Sequence, residues 1–410
     1  MQVRQDGVLA ELKASWQIMV AVIAGMCAMA LPGYALGAFV GPLASHFGWS
    51  ITQITGWLTA WSAGCILAAP LTGSLADRIG ARRVILSSLA IMGVALALAS
   101  ILLQHLRDFY VLGFVVGACS AGVSAMTYGR IVTTRFERGL GTALGLMSMG
   151  IGISAVFGPR LLQQVIDSYG WPWGLRVLGI LPLLILPWSL LHLEEGGGRA
   201  SAQAPPPARA QQGHTRSTAL RMPAFWLLAA GTLIYGVCVS GVSVNLIIYL
   251  TVQGESRAHA AAAAGLFGAA TIVGRLGSGV ALDRLRLHVA LLMALLFVAE
   301  GSAFLVIGSA AQALLPLALI VFGLAVGSSG SCLAYCTARL FGRRYYSSIF
   351  GLLGLVMLYV GTGLGPPLFS ALHNAFGHYD RVFIAWAALA FVAAPLFALV
   401  ARTPFFAAER

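Results

Sequence analysis

The stretch GSLADRIGARR, from Gly73 to Arg83, places two glycines, an acid and three arginines between two apolar runs. A shorter copy, GVALDR, ends at Arg284 in the second half of the chain. Other short matches recur at the same or nearly the same offset, and several coincidences at one offset indicate a duplicated unit. The matched pairs are Gly73 and Gly279, Asp77 and Asp283, Arg78 and Arg284, Gly145 and Gly351, and Gly158-Pro159 with Gly365-Pro366.

The composition of the chain excludes a soluble domain. Of its 410 residues 59% are hydrophobic and 9% are charged, and the mean hydropathy is +0.87. Apolar runs of about 18 or more residues are typical of membrane-spanning helices. We therefore expect an all-α polytopic membrane protein with twelve transmembrane helices in two pseudo-symmetric six-helix halves. The predicted spans are 16–42, 51–75, 84–104, 108–134, 140–166, 173–193, 222–250, 260–282, 288–310, 312–338, 347–372 and 381–402.

The net charge of +12 is distributed unequally between the two sets of loops. With these spans, most arginines fall on the side of the two chain termini, and the opposite side holds Arg107, Arg176, Arg257 and Arg381. An excess of arginine and lysine marks cytoplasmic loops. Both termini should therefore be cytoplasmic, in an inner (plasma) membrane such as that of a bacterium. The charge is a topology signal and predicts no nucleic-acid partner.

The segment between the two sets of spans is rich in Gly, Pro, Ala and Gln and contains no apolar run. Such a composition buries too little surface to fold. We expect an N-terminal bundle at 1–193, a cytoplasmic linker at 194–221 and a C-terminal bundle at 222–410. Two such repeats in one membrane chain are characteristic of secondary transporters, whose substrate site lies near mid-membrane between the repeats.

The residue types between the second and third spans suit a gate on the cytoplasmic side. Gly73 allows two helix backbones to approach closely, and Gly80 permits a tight turn. Asp77 can receive an arginine or face the N-terminus of a neighbouring helix, while Arg82 and Arg83 should lie among the lipid headgroups. The alternative is that these charges only anchor the loop. The candidate gate residues are Gly73, Asp77, Arg78, Gly80, Arg82, Arg83, Asp283 and Arg284.

This loop resembles the signature G-x-x-x-D-R-x-G-x-R-R of the major facilitator superfamily. The resemblance implies a carrier that alternates between outward- and inward-facing states, with the loop acting as a latch between the two halves. The second copy is less complete, because no glycine follows Arg284 at the corresponding place.

Arg275 lies in the middle of the eighth predicted span. A charge at the centre of a spanning helix costs about 2.5–3.5 kcal/mol on insertion scales and is a functional hypothesis by default. Thr271 and Ser278 lie one turn before and after it, so Arg275 belongs to a small, polar face of the helix. Its guanidinium can bind a carboxylate through two parallel hydrogen bonds. The alternative is a structural arginine bonded to carbonyls or to an internal acid such as Glu300.

The context G-R-x-x-S/G-G…D-R around Arg275 resembles the monocarboxylate transporter branch of the superfamily and its oxalate/formate relatives. The stretch LGAFVGPLASHFGWSITQ, residues 36–53, also resembles that branch. In those proteins the arginine binds the substrate carboxylate, which implies the same role for Arg275. Two departures leave the coupling ion and the exact substrate open. Thr271 stands where animal carriers have an aspartate, and the exchangers' eleventh-helix lysine is absent because Lys13 is the only lysine.

Two further ionisable residues lie inside the predicted spans. Arg130 is either a second substrate clamp, which would favour dicarboxylates, or an anchor whose head group reaches the interface. Glu300, near mid-depth of the ninth span, is either a proton carrier or one partner in a structural contact. The other candidates for the substrate site are Tyr34, Tyr128, Tyr235, Asn245, Thr271, Cys332 and Tyr335.

These features predict a secondary transporter that moves small organic anions, monocarboxylates such as lactate or pyruvate, together with a proton. The alternatives are an oxalate- or dicarboxylate-type exchanger that uses Arg275 with Arg130, a drug/proton antiporter, and a transporter-like membrane sensor. An enzyme is not expected, because no nucleophile–base pair, phosphate loop or metal-ligand spacing occurs, and no cofactor is predicted. We expect a carrier that functions as a monomer, with its substrate, protons and the bilayer as partners.

Overall fold

The computed structural model describes residues 11–136, 139–193, 213–284, 289–309, 312–354 and 360–401. Within these ranges the chain is helical apart from turns and an isolated bridge between Gly213 and Gly342. Eleven helices in the described part of the chain are long and apolar enough to cross a membrane. The prediction of an all-α polytopic membrane protein is confirmed.

The first half of the chain contains all six of its predicted spans. The fourth span, Leu106–Arg135, is interrupted after Gly122, and Ser124 then caps the next helix by accepting a hydrogen bond from the Met126 N–H at 3.2 Å. The helices are α1 (Trp16–Phe47), α2 (Ile51–Ile79), α3 (Ala81–Leu102), α4 (Leu106–Gly122), α5 (Ala125–Arg135), α6 (Leu140–Tyr169) and α7 (Trp171–His192).

In the second half, the predicted eleventh span corresponds to two helices, and residues 355–359 between them lie outside the described residues. A short helix also falls within the predicted linker, of which 194–212 is not described. The helices are α8 (Arg216–Leu220), α9 (Pro223–Val252), α10 (Arg257–Arg284), α11 (Val289–Ile307), α12 (Leu315–Phe341), α13 (Tyr346–Gly354), α14 (Thr362–Phe376) and α15 (Tyr379–Ala401).

The chain separates into two compact units. One is Met1–Gly213 with Gly342–Gly351, and the other is His214–Phe341 with Leu352–Arg410. The start of α13 therefore belongs to the unit formed by the first half of the chain, although it follows α12 in sequence.

The two halves repeat the same pattern of helix pairing. In the first half, α1 packs mainly against α6, α2 against α4, and α3 against α7. In the second half, α9 packs against α14, α10 against α12, and α11 against α15. Since these are the same spans in the same order, the pairing agrees with a duplicated six-helix unit.

Glycines set the distance at two equivalent helix crossings. A Cβ atom at Gly117 on α4 would lie 2.0 Å from the Trp61 carbonyl oxygen on α2. A Cβ atom at Gly327 on α12 would lie 2.1 Å from the Thr271 carbonyl oxygen on α10. No side chain fits at either position, so the two backbones are in direct contact.

The opposite helices of these crossings carry matching glycines. A Cβ atom at Gly64 on α2 would lie 2.1 Å from the Phe114 carbonyl oxygen, and one at Gly274 on α10 would lie 2.5 Å from that of Leu324. The same offset of 210 residues relates Gly64 to Gly274 and Gly117 to Gly327.

The offset of these contacts, which we call the packing register, is about one helical turn longer than the offset of Gly73 and Gly279 taken from the sequence. The shorter offset also occurs at this crossing, because a Cβ atom at Gly323 would lie 2.5 Å from the Phe267 carbonyl oxygen, which is the contact that corresponds to that of Gly117 at the shorter offset. The packing contacts therefore agree with a duplication at two offsets that differ by one helical turn.

Candidate functional site

Asp77, near the end of α2, accepts hydrogen bonds from two other helices. Its Oδ1 pairs with Nη1 of Arg130 on α5, and its Oδ2 accepts from the backbone N–H of Ser348 on α13 at 2.8 Å. Ser348 lies in the first turn of α13, where backbone N–H groups have no partner within the helix and the helix dipole favours an anion. The Asp77 side chain is only 5% exposed. A buried carboxylate therefore joins an arginine to a helix N-terminus.

Two glycines allow α13 to approach this carboxylate. A Cβ atom at Gly73 would lie 2.9 Å from the Ser347 carbonyl oxygen, and one at Gly129 would lie 2.7 Å from the Tyr346 hydroxyl. Larger residues at either position would hold α13 away from α2 and α5. We call Asp77, Arg130 and Ser348 the Asp77 cluster.

The contact with Asp77 gives Arg130 a role that neither interpretation of the sequence included. The ion pair neutralises its charge, so in this conformation Arg130 is neither an interfacial anchor nor a free clamp for a second carboxylate. Tyr128 also differs from the prediction. It is fully buried, and its ring occupies the space beside Gly25, where a Cβ atom would lie within bonding distance of the tyrosine hydroxyl. Tyr128 is therefore not accessible to a substrate in this conformation.

The rest of the signature loop forms the turn between α2 and α3. Gly80 has φ +99°, a conformation that favours glycine. Arg82 was expected among headgroups, but its Nη2 donates a hydrogen bond to the carbonyl of Leu190 near the end of α7. Of the remaining loop candidates, Arg78 and Arg83 are exposed, Asp283 is half-buried, and the side chain of Arg284 lies outside the described residues.

Arg275 lies on α10, next to the glycine contacts with α12. It is half-buried, and a Cβ atom at Gly327 would lie 2.8 Å from its backbone nitrogen. Among the described residues, the guanidinium forms no hydrogen bond or ion pair. The neighbouring hydroxyls do not bind it, because Thr271 donates to the Phe267 carbonyl at 2.9 Å and Ser278 donates to the Arg275 carbonyl itself at 3.2 Å.

Tyr235 on α9 contacts helices α12 and α11. Its hydroxyl donates a hydrogen bond to the Val326 carbonyl on α12 at 3.2 Å, and its ring meets that of Phe297 on α11 edge-on, 5.5 Å between centroids. Val326 directly precedes Gly327, which contacts the Arg275 backbone, and Phe297 lies about one turn before Glu300. One layer of the C-terminal half thus contains a cation, a tyrosine and an acid on three helices.

Glu300 is the most deeply buried ionisable group of this layer. Its side chain is 1% exposed, and neither carboxyl oxygen has a hydrogen-bond partner among the described residues. A structural contact was the alternative role for Glu300, and no hydrogen-bond partner for its carboxyl group is found among the described residues. Glu300 does not pair with Arg275 in this conformation.

The other predicted site residues have varied surroundings. Asn245 is half-buried and donates to the Gly241 carbonyl on its own helix at 2.8 Å. Tyr335 accepts a hydrogen bond from Arg339 at 2.9 Å, Cys332 is fully buried, and Tyr34 is 45% exposed. The structure places Tyr235 and the backbone of Arg275 against two consecutive residues of α12, Val326 and Gly327.

Sequence reasoning missed two contributors to the Asp77 cluster, Gly129 and the Ser348 N–H. Gly129 directly precedes Arg130, and a glycine beside a membrane arginine was an available signal for a close helix contact. A backbone N–H has no sequence signature. Only the fold could show that the start of α13 lies beside α2.

Comparison with known families and sequences gives consistent results. The family model described as Major Facilitator Superfamily matches residues 18–358. The chain is 28% identical over 220 residues to the fujikurins efflux protein of Gibberella fujikuroi, covering 51% of this chain and 44% of that protein. It is 30% identical over 158 residues to monocarboxylate transporter 11 of Mus musculus, covering 38% of this chain and 35% of that protein. The matches thus span less than half of these relatives.

Solved structures match over nearly the whole chain. The human organic anion transporter MFSD10 superimposes with a TM-score of 0.74 at 16% identity, covering 93% of this chain and 99% of that one. A variant of the fucose:proton symporter FucP of E. coli also gives 0.74 at 17% identity, covering 96% of this chain and 100% of that one. At this identity the likeness concerns the fold.

Proposed function

Because the chain belongs to the Major Facilitator Superfamily and is a transporter rather than an enzyme, we propose that it carries small organic anions, specifically monocarboxylates such as lactate or pyruvate, together with a proton. The observation that carries the proposal is Arg275, a half-buried cation in a membrane-spanning helix whose guanidinium binds no described residue. A substrate carboxylate is the chemical group that satisfies it.

A carboxylate fits this position for both charge and geometry. A guanidinium presents two parallel N–H donors to the two oxygens of a carboxylate, and it keeps its charge even when desolvated. The ion pair lowers the cost of holding the cation within the membrane. The loaded carrier can then change conformation without an uncompensated charge on α10.

The relatives support an organic anion without deciding which one. Monocarboxylate transporter 11, which is 30% identical over the matched segment, carries the cargo class in its name. For the whole chain, we propose that the arginine-rich side faces the cytoplasm of an inner (plasma) membrane, that the Asp77 cluster is a cytoplasmic latch, and that the carrier works as a monomer.

Uptake into proteoliposomes tests this proposal. Purified protein is reconstituted, and uptake of labelled lactate, pyruvate and oxalate is measured with and without a pH gradient. We expect saturable lactate or pyruvate uptake that Arg275→Ala lowers at least about 100-fold, as for loss of one partner of a buried charge pair. Arg107→Ala is the matched control, since that side chain is 84% exposed. Unchanged uptake by the Arg275→Ala protein would remove Arg275 from the site.

Efflux of lipophilic compounds is the second candidate, because two relatives are named as a fujikurins efflux protein and a chloramphenicol resistance protein. Transport assays in the same liposomes distinguish efflux of lipophilic compounds from carboxylate transport. Movement of chloramphenicol or a lipophilic cation, with none of the three acids, would favour efflux over carboxylate transport.

A further inference from the structure

We propose that Glu300 is the proton-binding site of this carrier, and that Tyr235 links it to the anion bound at Arg275. The inference rests on the proposed function for its cargo, but the site itself is argued from the surroundings of Glu300. This residue is the only titratable side chain of α11, whose sequence is VALLMALLFVAEGSAFLVI.

A purely structural role does not explain this acid. Its side chain is 1% exposed, and both oxygens are without hydrogen bonds in the described part of the chain. A buried carboxylate without a partner destabilises a fold, and an apolar residue of similar size would pack at lower cost. An acid kept in such a place is a functional candidate by default.

Few groups face Glu300 from the helices packed around α11. From α9, Tyr235 contacts the ring of Phe297, about one turn before Glu300 on α11, and Cys238 lies about one turn after Tyr235 on α9. From α15, aromatic side chains approach, with the ring of Phe391 beside Gly301. The charged residues of α15 are in its first turn, about three turns from Phe391.

From α12, the Val326 carbonyl accepts the hydrogen bond of Tyr235, and Cys332 lies farther along the same helix. From α10, Arg275 lies beside this contact, because a Cβ atom at Gly327, the residue after Val326, would lie 2.8 Å from the Arg275 backbone nitrogen. The same helix crossing therefore carries the Tyr235 contact and the arginine of the proposed anion site.

Tyr235 is placed to connect the two groups. Its ring rests on Phe297, about one turn before Glu300 on α11. Its hydroxyl donates to the Val326 carbonyl, and the next residue, Gly327, contacts the backbone of Thr271 and Arg275. A small rotation would let the same hydroxyl donate to a Glu300 carboxylate instead.

The balance of charge then explains how transport of the proton is coupled to transport of the anion. In the empty carrier, an ionised Glu300 offsets the positive Arg275 through Tyr235. In the loaded carrier, the substrate anion offsets Arg275, and a Glu300 oxygen has taken a proton from water to form its O–H bond. Both forms are neutral and can change conformation. An anion without a proton, or a proton without an anion, leaves one unbalanced charge within the membrane.

On the opposite side of the membrane the reverse steps occur. The anion leaves Arg275, and the Glu300 O–H bond breaks as its proton returns to water. One proton therefore crosses with each monovalent anion, and a gradient of one pH unit supports about tenfold accumulation of substrate.

The first test needs no substrate. Acid-minus-alkaline infrared difference spectra are recorded on the full-length protein in liposomes. We expect a carboxylic C=O band that is missing in Glu300→Gln and present in Ser302→Ala. Ser302 is an exposed residue of the same helix whose hydroxyl bonds to the Val298 carbonyl. Identical spectra for the wild type and Glu300→Gln would overturn the proton site, whatever the cargo.

The second test measures coupling. Glutamine has the shape of a protonated glutamate but exchanges no proton. We expect Glu300→Gln to lose gradient-driven lactate accumulation, about tenfold per pH unit, and to exchange internal for external lactate at a rate independent of pH. Accumulation equal to that of the wild type would overturn the inference. If the infrared band is present but the wild type moves no acid, the proton site stands and the proposed cargo fails.

Discussion

The α2–α4 crossing in the first half and the α10–α12 crossing in the second share a backbone arrangement but hold different polar groups. In the packing register, Cys65 takes the place of Arg275 and Trp61 that of Thr271. The Cys65 thiol donates to the Gly117 carbonyl at 3.1 Å and is fully buried. The guanidinium of Arg275 binds no described residue. Duplication has preserved the glycines that set the helix distance and replaced the group beside them.

The halves also differ in how their buried charges are balanced. Arg130 in the first half is neutralised by Asp77. In the second half, Arg275 and Glu300 share a layer without forming a hydrogen bond to each other or to other described side chains. A charge that is paired within the protein stabilises one conformation. An unpaired ionisable group within the membrane is available to bind a ligand or a proton. The ion pair of the first half thus suits the proposed latch, and the unpaired groups of the second half suit binding of the proposed cargo.

The largest effect should come from replacing the polar groups at the two equivalent positions, Arg275 and Cys65. Arg275→Lys keeps the charge but loses the bidentate geometry, so we expect lactate uptake, as kcat/KM in proteoliposomes, to fall at least about tenfold. Cys65→Ala should change it less than about twofold, because the thiol is a weak hydrogen-bond donor. Equal losses in both variants would contradict the division of roles between the halves.

The next largest effect should come from substituting the glycines at the equivalent helix crossings of the two halves. Gly117→Ala and Gly327→Ala each place a methyl group against a carbonyl oxygen, and we expect each to destabilise the protein by about 1–3 kcal/mol, measured as a lower Tm in detergent. Gly327→Ala should also weaken lactate uptake, because it displaces the backbone of Arg275.

Gly330 on α12 provides the control for this pair. A Cβ atom there meets nothing within 4 Å, so Gly330→Ala should leave Tm unchanged or raise it, since alanine favours a helix by about 1 kcal/mol. If Gly117→Ala lowered uptake as strongly as Gly327→Ala, the effect would come from general instability rather than from Arg275.

Much of the fold, and part of the site, could be predicted from the sequence. Apolar runs identified the spans because the bilayer requires a fixed length of apolar helix. Arg275 and Glu300 were visible because charges are rare in such runs. The longer offset of the packing register was not visible, since it depends on where two glycines meet across a crossing. The partners of Arg130 and Tyr128 were also hidden, because contacts between distant helices leave no local pattern.

A smaller effect should come from the Asp77 cluster. Asp77→Asn removes the charge that Arg130 pairs with but can still accept from the Ser348 N–H. Since the cluster belongs to a different compact unit of the chain from Arg275, we expect the rate of lactate uptake to fall severalfold while KM changes little.

A double-mutant cycle with Arg130→Gln checks that the two residues act as a pair. The second substitution should add little to Asp77→Asn, with a coupling energy of about 0.5–3 kcal/mol in the free energy of unfolding. Additive losses would mean that the ion pair is not what the substitutions disturb.

The smallest effect separates the tyrosine that links the two charges from an ordinary buried tyrosine. Tyr235→Phe removes one hydrogen bond to a carbonyl, worth about 0.5–1.5 kcal/mol of stability. Tyr249, on the same helix, donates to the Ile307 carbonyl at 2.6 Å and accepts from Gln253 at 3.4 Å, so Tyr249→Phe should cost at least as much.

If Tyr235 also exchanges its hydrogen bond between Val326 and Glu300, its loss slows the protonation step alone. We therefore expect Tyr235→Phe to reduce gradient-driven lactate uptake two- to threefold relative to lactate exchange, about 0.4–0.7 kcal/mol of barrier, and Tyr249→Phe to leave that ratio unchanged. The same ratio in both variants would reduce Tyr235 to a packing residue while leaving Glu300 untouched.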